Sequence, residues 1–141
     1  MMGILRGLEA LHDQGVLHRD IKLDNILLDD NLCPKICDFG VSWFMKEGKV
    51  IKEKCGTPAY LAPEIIKGEG YEGFKIDIWS LGVLFYFLIS QRMPFKADSI
   101  ENLHKVILEE EPDYFYKCFS KDSLDLLKKM LNKDPRERIN L

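Results

Sequence analysis

Asp20, Lys22, Asn25 and Asp38 are the residues whose types and spacing could do chemistry together. A carboxylate can take a proton from a hydroxyl, and a lysine can neutralise a phosphate. An amide oxygen and a second carboxylate can bind Mg²⁺, a hard cation that takes oxygen donors. The first three lie in His18-Arg19-Asp20-Ile21-Lys22-Leu23-Asp24-Asn25, a short polar stretch. Gly15-Val16-Leu17 precedes it and Ile26-Leu27-Leu28 follows it. Polar residues between two short apolar strands read as a site held on a rigid scaffold. Asp38 opens a separate turn, Asp38-Phe39-Gly40.

The elements that must position these residues can be read from periodicity. Ile4, Leu5, Leu8 and Leu11 fall on one helical face, closed by His12, Asp13 and Gln14, with Gly15 suited to the C-terminal cap. Val16-Leu17 and Ile26-Leu27-Leu28 read as strands. Asp29-Asp30-Asn31 is turn chemistry, and Lys35-Ile36-Cys37 reads as the returning strand of a hairpin. Gly40 to Gly56 is polar, mixed in sign and weakly periodic, and reads as a long functional loop. Pro63 suits the opening of a short helix through Lys67. Lys75 to Ile89 is apolar on nearly all faces and should be buried all round, with Asp77 in its first turn. Asp98 and Glu101 have capping-box spacing for a further helix. A last helix should start after Ser120 and stop before Asp134-Pro135. One small hairpin amid many helices predicts a mainly α domain.

Composition narrows the class. The 141 residues are 46% hydrophobic and 30% charged, enough for one folded domain rather than a disordered chain. A net charge of −3 argues against nucleic acid as a partner, because no basic excess exists to displace counterions. Cys33, Cys37, Cys55 and Cys118 form no C-x-x-C pair and read as free thiols of a reducing compartment. The most apolar run, Leu81 to Ile89, is too short to cross a bilayer, so no membrane partner is expected. The N-terminus lacks the features of a targeting segment, and a cytoplasmic location is the expectation.

The motif set as a whole resembles the protein kinases. His18-Arg19-Asp20 with Lys22 and Asn25 is followed in order by Asp38-Phe39-Gly40 and Ala62-Pro63-Glu64. Asp77-Ile78-Trp79-Ser80-Leu81-Gly82 and Arg138 complete the order. The resemblance covers the large, C-terminal lobe of the kinase fold, an α+β architecture. It implies Asp20 as the base that accepts the substrate hydroxyl's proton, and Lys22 as the cation that steadies the transferring phosphoryl group. It implies Asn25 and Asp38 as Mg²⁺ ligands and Leu27 as the apolar floor under the adenine of ATP, with Cys37 nearby. His18 and Phe39 resemble members of an apolar stack, with Gly40 completing the metal-binding turn. Glu64 and Arg138 resemble a buried ion pair, and Asp77 the carboxylate that holds backbone N–H groups of the catalytic loop.

Lys22 with the Gly56-Thr57-Pro58 turn before Tyr60 is similar to serine/threonine rather than tyrosine kinases, and the resemblance implies Thr57, Pro58 and Leu61 as a substrate loop. Cys55 to Glu64, with Lys133-Asp134-Pro135-Arg136-Glu137-Arg138, looks closest to the calcium/calmodulin-dependent kinase-like and related groups. The implied partner is a protein with a Ser or Thr acceptor. Asp24 hints at basic residues in that substrate, or is a plain surface acid. Many kinases are activated by a phosphothreonine that pairs with the catalytic-loop arginine. Here Glu53 stands at that position and Arg19 is the arginine. Glu53 reads either as a permanent, weaker charge or as a solvated glutamate between Lys52 and Lys54.

No glycine-rich G-x-G-x-x-G stretch and no V-A-I-K-like lysine precede the catalytic loop. The expectation from the resemblance is therefore a partial kinase domain over residues 1–141, lacking the small lobe and clipped at both ends. Two functions stay open: a serine/threonine kinase whose chain is inactive alone, and a non-catalytic kinase-derived binding or scaffold module. On either, the uncovered upper surface is expected to dock a small lobe or a regulatory partner.

Overall fold

The computed structural model describes residues 1–45, 48–71, 73–114 and 118–141. Its centre is a helix, Lys75–Ser90, here α3 in chain order. Ile76, Trp79, Val83 and Tyr86 enter one apolar core with Leu17, Ile107 and Leu127. Ile78, Leu81 and Leu84 enter a second with Leu8, Ile21 and Met130. A helix that is apolar all round must be covered on opposite sides, and this one separates two cores. Burial stops before the last turn, where Leu88 is exposed. A Cβ on Gly82 would lie 3.0 Å from the Met130 Cβ and the Leu131 Cδ2. The absence of a side chain there lets the last helix approach closely.

The remaining elements hang on α3. The first helix, α1 (Met2–Asp13), buries Ile4 and Leu8, and Gly15 turns the chain at φ +73°. β1 (Val16–Leu17) follows. β2 (Ile26–Leu28) and β3 (Pro34–Ile36) form the antiparallel hairpin, with Ile26 opposite Ile36 and Leu28 opposite Pro34. The Asp29 carboxylate closes its turn by accepting from the N–H groups of Asn31 and Cys33, both at 2.9 Å. α2 (Pro63–Lys67) opens on Pro63 and ends on Gly68 in the left-handed region. α4 (Ile100–Glu109) and α5 (Lys121–Met130) are capped by Ser99 and Ser120, whose hydroxyls accept from Asn102 and Ser123. The architecture is thus the mainly helical one with a small hairpin that the sequence predicts.

Two expectations need correction. The cap of α4 is Ser99, not Asp98; a serine hydroxyl one residue closer to the helix reaches the third N–H. The Gly40–Gly56 stretch is not simply a loop. Its residues Trp43–Phe44 form a strand, β4, that pairs antiparallel with β1, Leu17 opposite Trp43. Ile51 bridges to Tyr71, each accepting the other's N–H. Such short pairings leave no periodicity to read. Residues 46 and 47 of this stretch lie outside the described residues. On the hairpin, Leu27 and Leu28 face solvent, 56% and 62% exposed.

A buried ion pair ties the lower part together. The Arg138 guanidinium grips Glu64 as a fork, 2.7 Å to Oε1 and 2.9 Å to Oε2. Its other N–H groups reach the carbonyls of Asn132 and Lys75, at 2.9 and 2.8 Å. The cation also lies over the Trp79 ring, 5.1 Å from its centre. Both charges are buried, so removing one partner would cost about 3–5 kcal/mol by stranding the other. The four cysteines are free thiols. Among the described residues no helix is long and apolar enough to cross a membrane.

Candidate active site

The catalytic-type loop is held from below by one carboxylate. Asp77, 1% exposed, stands in the first turn of α3. Its Oδ2 accepts the backbone N–H of His18 and its Oδ1 that of Arg19, both at 2.8 Å. His12, at the end of α1, lies with Nε2 3.0 Å from the same Oδ2. Arg19 has φ +71°, rarely adopted by a residue with a side chain. The two N–H bonds to Asp77 flank that peptide and fix it.

This turn presents Asp20 upward, where its carboxylate meets four donors. Thr57 gives its backbone N–H at 3.0 Å and its hydroxyl at 2.8 Å to Oδ1. Lys22 Nζ lies 2.8 Å from Oδ2, and Asn25 Nδ2 donates to Oδ2 at 3.2 Å. Lys22 also donates to the Thr57 hydroxyl at 2.9 Å, so carboxylate, ammonium and hydroxyl close a ring. Burial pushes the Asp20 carboxyl up, but the bonds from Lys22, Thr57 and Asn25 outweigh it and hold it below its ordinary value of 3.8. Its charge therefore favours the fold at neutral pH, a contribution lost as pH falls through the lowered value. The bond to Asp20 holds the Lys22 ammonium above its usual range. The pair stays charged at neutral pH, as a proton acceptor beside a cation requires.

Asn25 is buried and donates to the Asp20 backbone carbonyl at 2.9 Å. Its own backbone carbonyl accepts from Cys37 at 3.0 Å, which brings the residue before Asp38 against the His18–Asn25 loop. With its amide nitrogen committed, the Asn25 side-chain oxygen has no donor among the described residues. Asp38 is exposed at φ +63° and accepts from the Gly40 N–H at 3.2 Å, leaving its other oxygen open. Two uncommitted hard oxygens fit Mg²⁺ by donor type. Among the described residues no three His, Cys, Asp or Glu side chains gather into a metal site, so further ligands would be phosphate or water. His18 accepts the Asp20 N–H at Nδ1, 3.3 Å, and points Nε2 at the Cys37 carbonyl, 3.1 Å. One tautomer, protonated at Nε2, satisfies both. Phe39 stands edge-on to it, ring centres 5.2 Å apart.

A model of the protein kinase domain matches residues 1–141. The chain belongs to the protein kinase domain family. It is 40% identical to CBL-interacting protein kinase 26 of Oryza sativa subsp. japonica over 98% of this chain and 28% of that protein. It is 39% identical to the SNF1-like protein kinase ssp2 of Schizosaccharomyces pombe, over 98% and 24%. Against the serine/threonine-protein kinase SIK2 of Gallus gallus the identity is 40%, over 98% and 17%. The chain thus spans 17% to 28% of the length of these kinases.

Several residues of this kinase domain's site escaped sequence reasoning. His12 reads as a helix end, and only the fold brings it to Asp77. Tyr71 reaches the loop arginine through its hydroxyl, 3.5 Å from Arg19 Nη1. Trp43 lies with its ring 5.3 Å from the Arg19 guanidinium. Of the residues expected to form a substrate loop, Thr57 precedes the 3-10 turn Pro58–Tyr60 and Leu61 leaves it. Glu53 and Arg19 meet at 2.6 Å.

Thr57 reaches Asp20 only because Gly56 precedes it. Gly56 has φ +112°, and a Cβ there would lie 2.8 Å from the Arg19 carbonyl oxygen and 3.1 Å from Leu61 Cδ2. That carbonyl belongs to the Arg19–Asp20 peptide, whose N–H is itself bonded to His18 Nδ1. Gly56→Ala is expected to cost about 1–3 kcal/mol, the range for a residue forced into a disfavoured conformation, and to free the Thr57 hydroxyl. Denaturant midpoints and the exchange rate of the Thr57 amide check this. An unchanged midpoint with an unchanged Thr57 amide would contradict it.

Proposed function

We propose that this chain carries the phosphoryl-transfer machinery of a serine/threonine protein kinase, moving the γ-phosphoryl group of ATP to a Ser or Thr hydroxyl of a protein. The observation that carries the reading is the Asp20 carboxylate, ionised and fixed by Lys22, Asn25 and Thr57 at the mouth of the loop. Asp20 accepts the acceptor hydroxyl's proton as its oxygen bonds to phosphorus and the bond to the ADP oxygen breaks. Lys22 faces the charge on the equatorial oxygens of the group in flight. Asn25 and Asp38 would hold Mg²⁺, which when bound neutralises the phosphates. Leu27 would lie under the adenine. Thr57 keeps Asp20 in one rotamer, so the chain contributes positioning above all. The Lys22 and Gly56-Thr57-Pro58 pattern, with the printed name of the Gallus gallus relative, a serine/threonine-protein kinase, supports Ser/Thr over Tyr.

The 141 residues hold no phosphate-covering loop upstream of Asp20. The one G-x-G-x-x-G spacing, Gly68 to Gly73, follows α2, and Gly68 is spent capping that helix. Acting by itself, the chain should therefore turn over little or no ATP. A radiolabelled-ATP assay on the purified chain measures this. Turnover near about 1 s⁻¹, the lower end of the kinase range, and abolished by Asp20→Asn would contradict inactivity while upholding the assignment of Asp20.

One observation favours a second reading, a binding module. Leu27, Leu28, Leu32 and Phe39 are all exposed on the β2–β3 hairpin and the turn after it, and apolar side chains exposed close together in the chain favour an interface. The occupant would be a small lobe or a regulatory partner. The isolated chain should then self-associate or bind a dye specific for apolar surface. A monomer at high concentration that binds no such dye would exclude the docking surface.

A further inference from the structure

The Glu53 carboxylate is 59% exposed, whereas the Arg19 side chain it meets is 5% exposed. An ion pair with one end in water holds little by itself. Something else must therefore settle the buried cation. Arg19 gives Nε to the Val41 carbonyl and Nη1 to Glu53. Its guanidinium carbon lies 5.3 Å from the centre of the Trp43 ring. Lys49 lies against the same ring, its Nζ 4.6 Å from the centre. An indole face attracts cations through its quadrupole, so one uncharged side chain can hold both.

Trp43 is itself fixed by backbone. It pairs with Leu17 in the β1–β4 ladder, and the Met45 N–H donates to the Gly15 carbonyl at 2.8 Å. The ring therefore stands where the strand leading into His18 and Arg19 meets the Gly40–Gly56 segment. Further along, Ile51 bridges to Tyr71, and the Tyr71 hydroxyl donates to the Glu53 carbonyl at 3.2 Å. Trp43, Lys49, Ile51 and Glu53 are successive anchors of one segment, and two of the four work through Arg19. Gly56 and Thr57, which close on Asp20, come directly after them.

We propose that Trp43 is a positioning residue for phosphoryl transfer: its ring holds Arg19 toward Glu53 and draws in Lys49, so that the Gly40–Gly56 segment is ordered without a phosphate on it. The inference rests on the kinase reading of the site, since it states how that site is kept assembled. Trp43 touches none of the reacting groups and acts through Arg19. The bonds from Nε to Val41 and from Nη1 to Glu53 and Tyr71 set the orientation of the guanidinium. The Trp43 ring lies close against the same group and reinforces that arrangement.

Trypsin tests this on the phosphatase-treated 141-residue chain, because Lys49, Lys52 and Lys54 are cleavage sites inside the segment. Cleavage after each is followed by mass spectrometry under native conditions, with cleavage after Lys128 and Lys129 in α5 as the internal reference. Trp43→Leu should raise cleavage in the segment about fivefold or more, and Trp43→Phe, which keeps a ring face, should restore most of the protection. Glu53→Gln should raise it several-fold. The double variant should gain little over Trp43→Leu, because both act through Arg19. Unchanged cleavage in Trp43→Leu, no rescue by Phe, or multiplying effects in the double variant would overturn the proposal.

Should Trp43→Leu unfold, seen as cleavage spreading to α5, the wild-type NMR spectrum decides. Ring-current shifts on the Arg19 side-chain protons uphold the proposal, and their absence refutes it. Neither measurement uses ATP. A chain that orders its segment through Trp43 yet never supports transfer would defeat the functional reading and leave this one standing.

Discussion

The site depends on the Asp77 carboxylate more than on any other group. It is buried at the start of the helix around which both cores are built. A carboxylate there is tolerable only because it is bonded: two backbone N–H groups and an imidazole point at its two oxygens. The dependence is mutual. Without Asp77 the buried N–H groups of His18 and Arg19 would be orphaned, and Arg19 would lose the two backbone bonds that flank its positive-φ peptide. The core thus fixes α3, α3 fixes Asp77, and Asp77 fixes the peptide that aims Asp20.

A second set of contacts closes on the loop from above. Gly56 packs against the Arg19 carbonyl, and Thr57 gives both of its donors to Asp20. The loop is therefore clamped between a buried helix and a surface segment of quite different character. The lower contact is desolvated and permanent. The upper one rests on exposed charge, an aromatic face and a two-residue strand, the kind of contact that opens at low cost. This division suits a phosphoryl-transfer site. On the proposed kinase reading, Asp20 is the rigid part and the Gly40–Gly56 segment the part that can be regulated.

Much of this was legible in the sequence, for reasons that differ by residue. α2, α3 and α5 came close to their boundaries because Pro63, the apolar Lys75–Ile89 run and Ser120 each carry a strong local signal. Asp20, Lys22, Asn25 and Asp38 stood out as a polar group between apolar strands, and the motif order named the family. What stayed hidden depends on distant partners. β4 is too short to have a period, and its partner β1 precedes it by some 25 residues. His12 and Tyr71 join the site across 65 and 52 positions, respectively. Ser99 displaced Asp98 as a cap because either residue type suits that role and only backbone geometry chooses between them. The exposure of Leu27 and Phe39, by contrast, agrees with the uncovered upper surface that the motif order implies.

Native-state hydrogen exchange of the His18 and Arg19 amides tests the central dependence most directly. In the wild-type chain both should be protected nearly as well as the Leu81–Leu84 amides of α3. Asp77→Asn keeps the shape but replaces one acceptor oxygen with a donor, so at least one of the two amides should exchange more than about tenfold faster while α3 stays protected. Unchanged protection of both amides in Asp77→Asn would contradict the account.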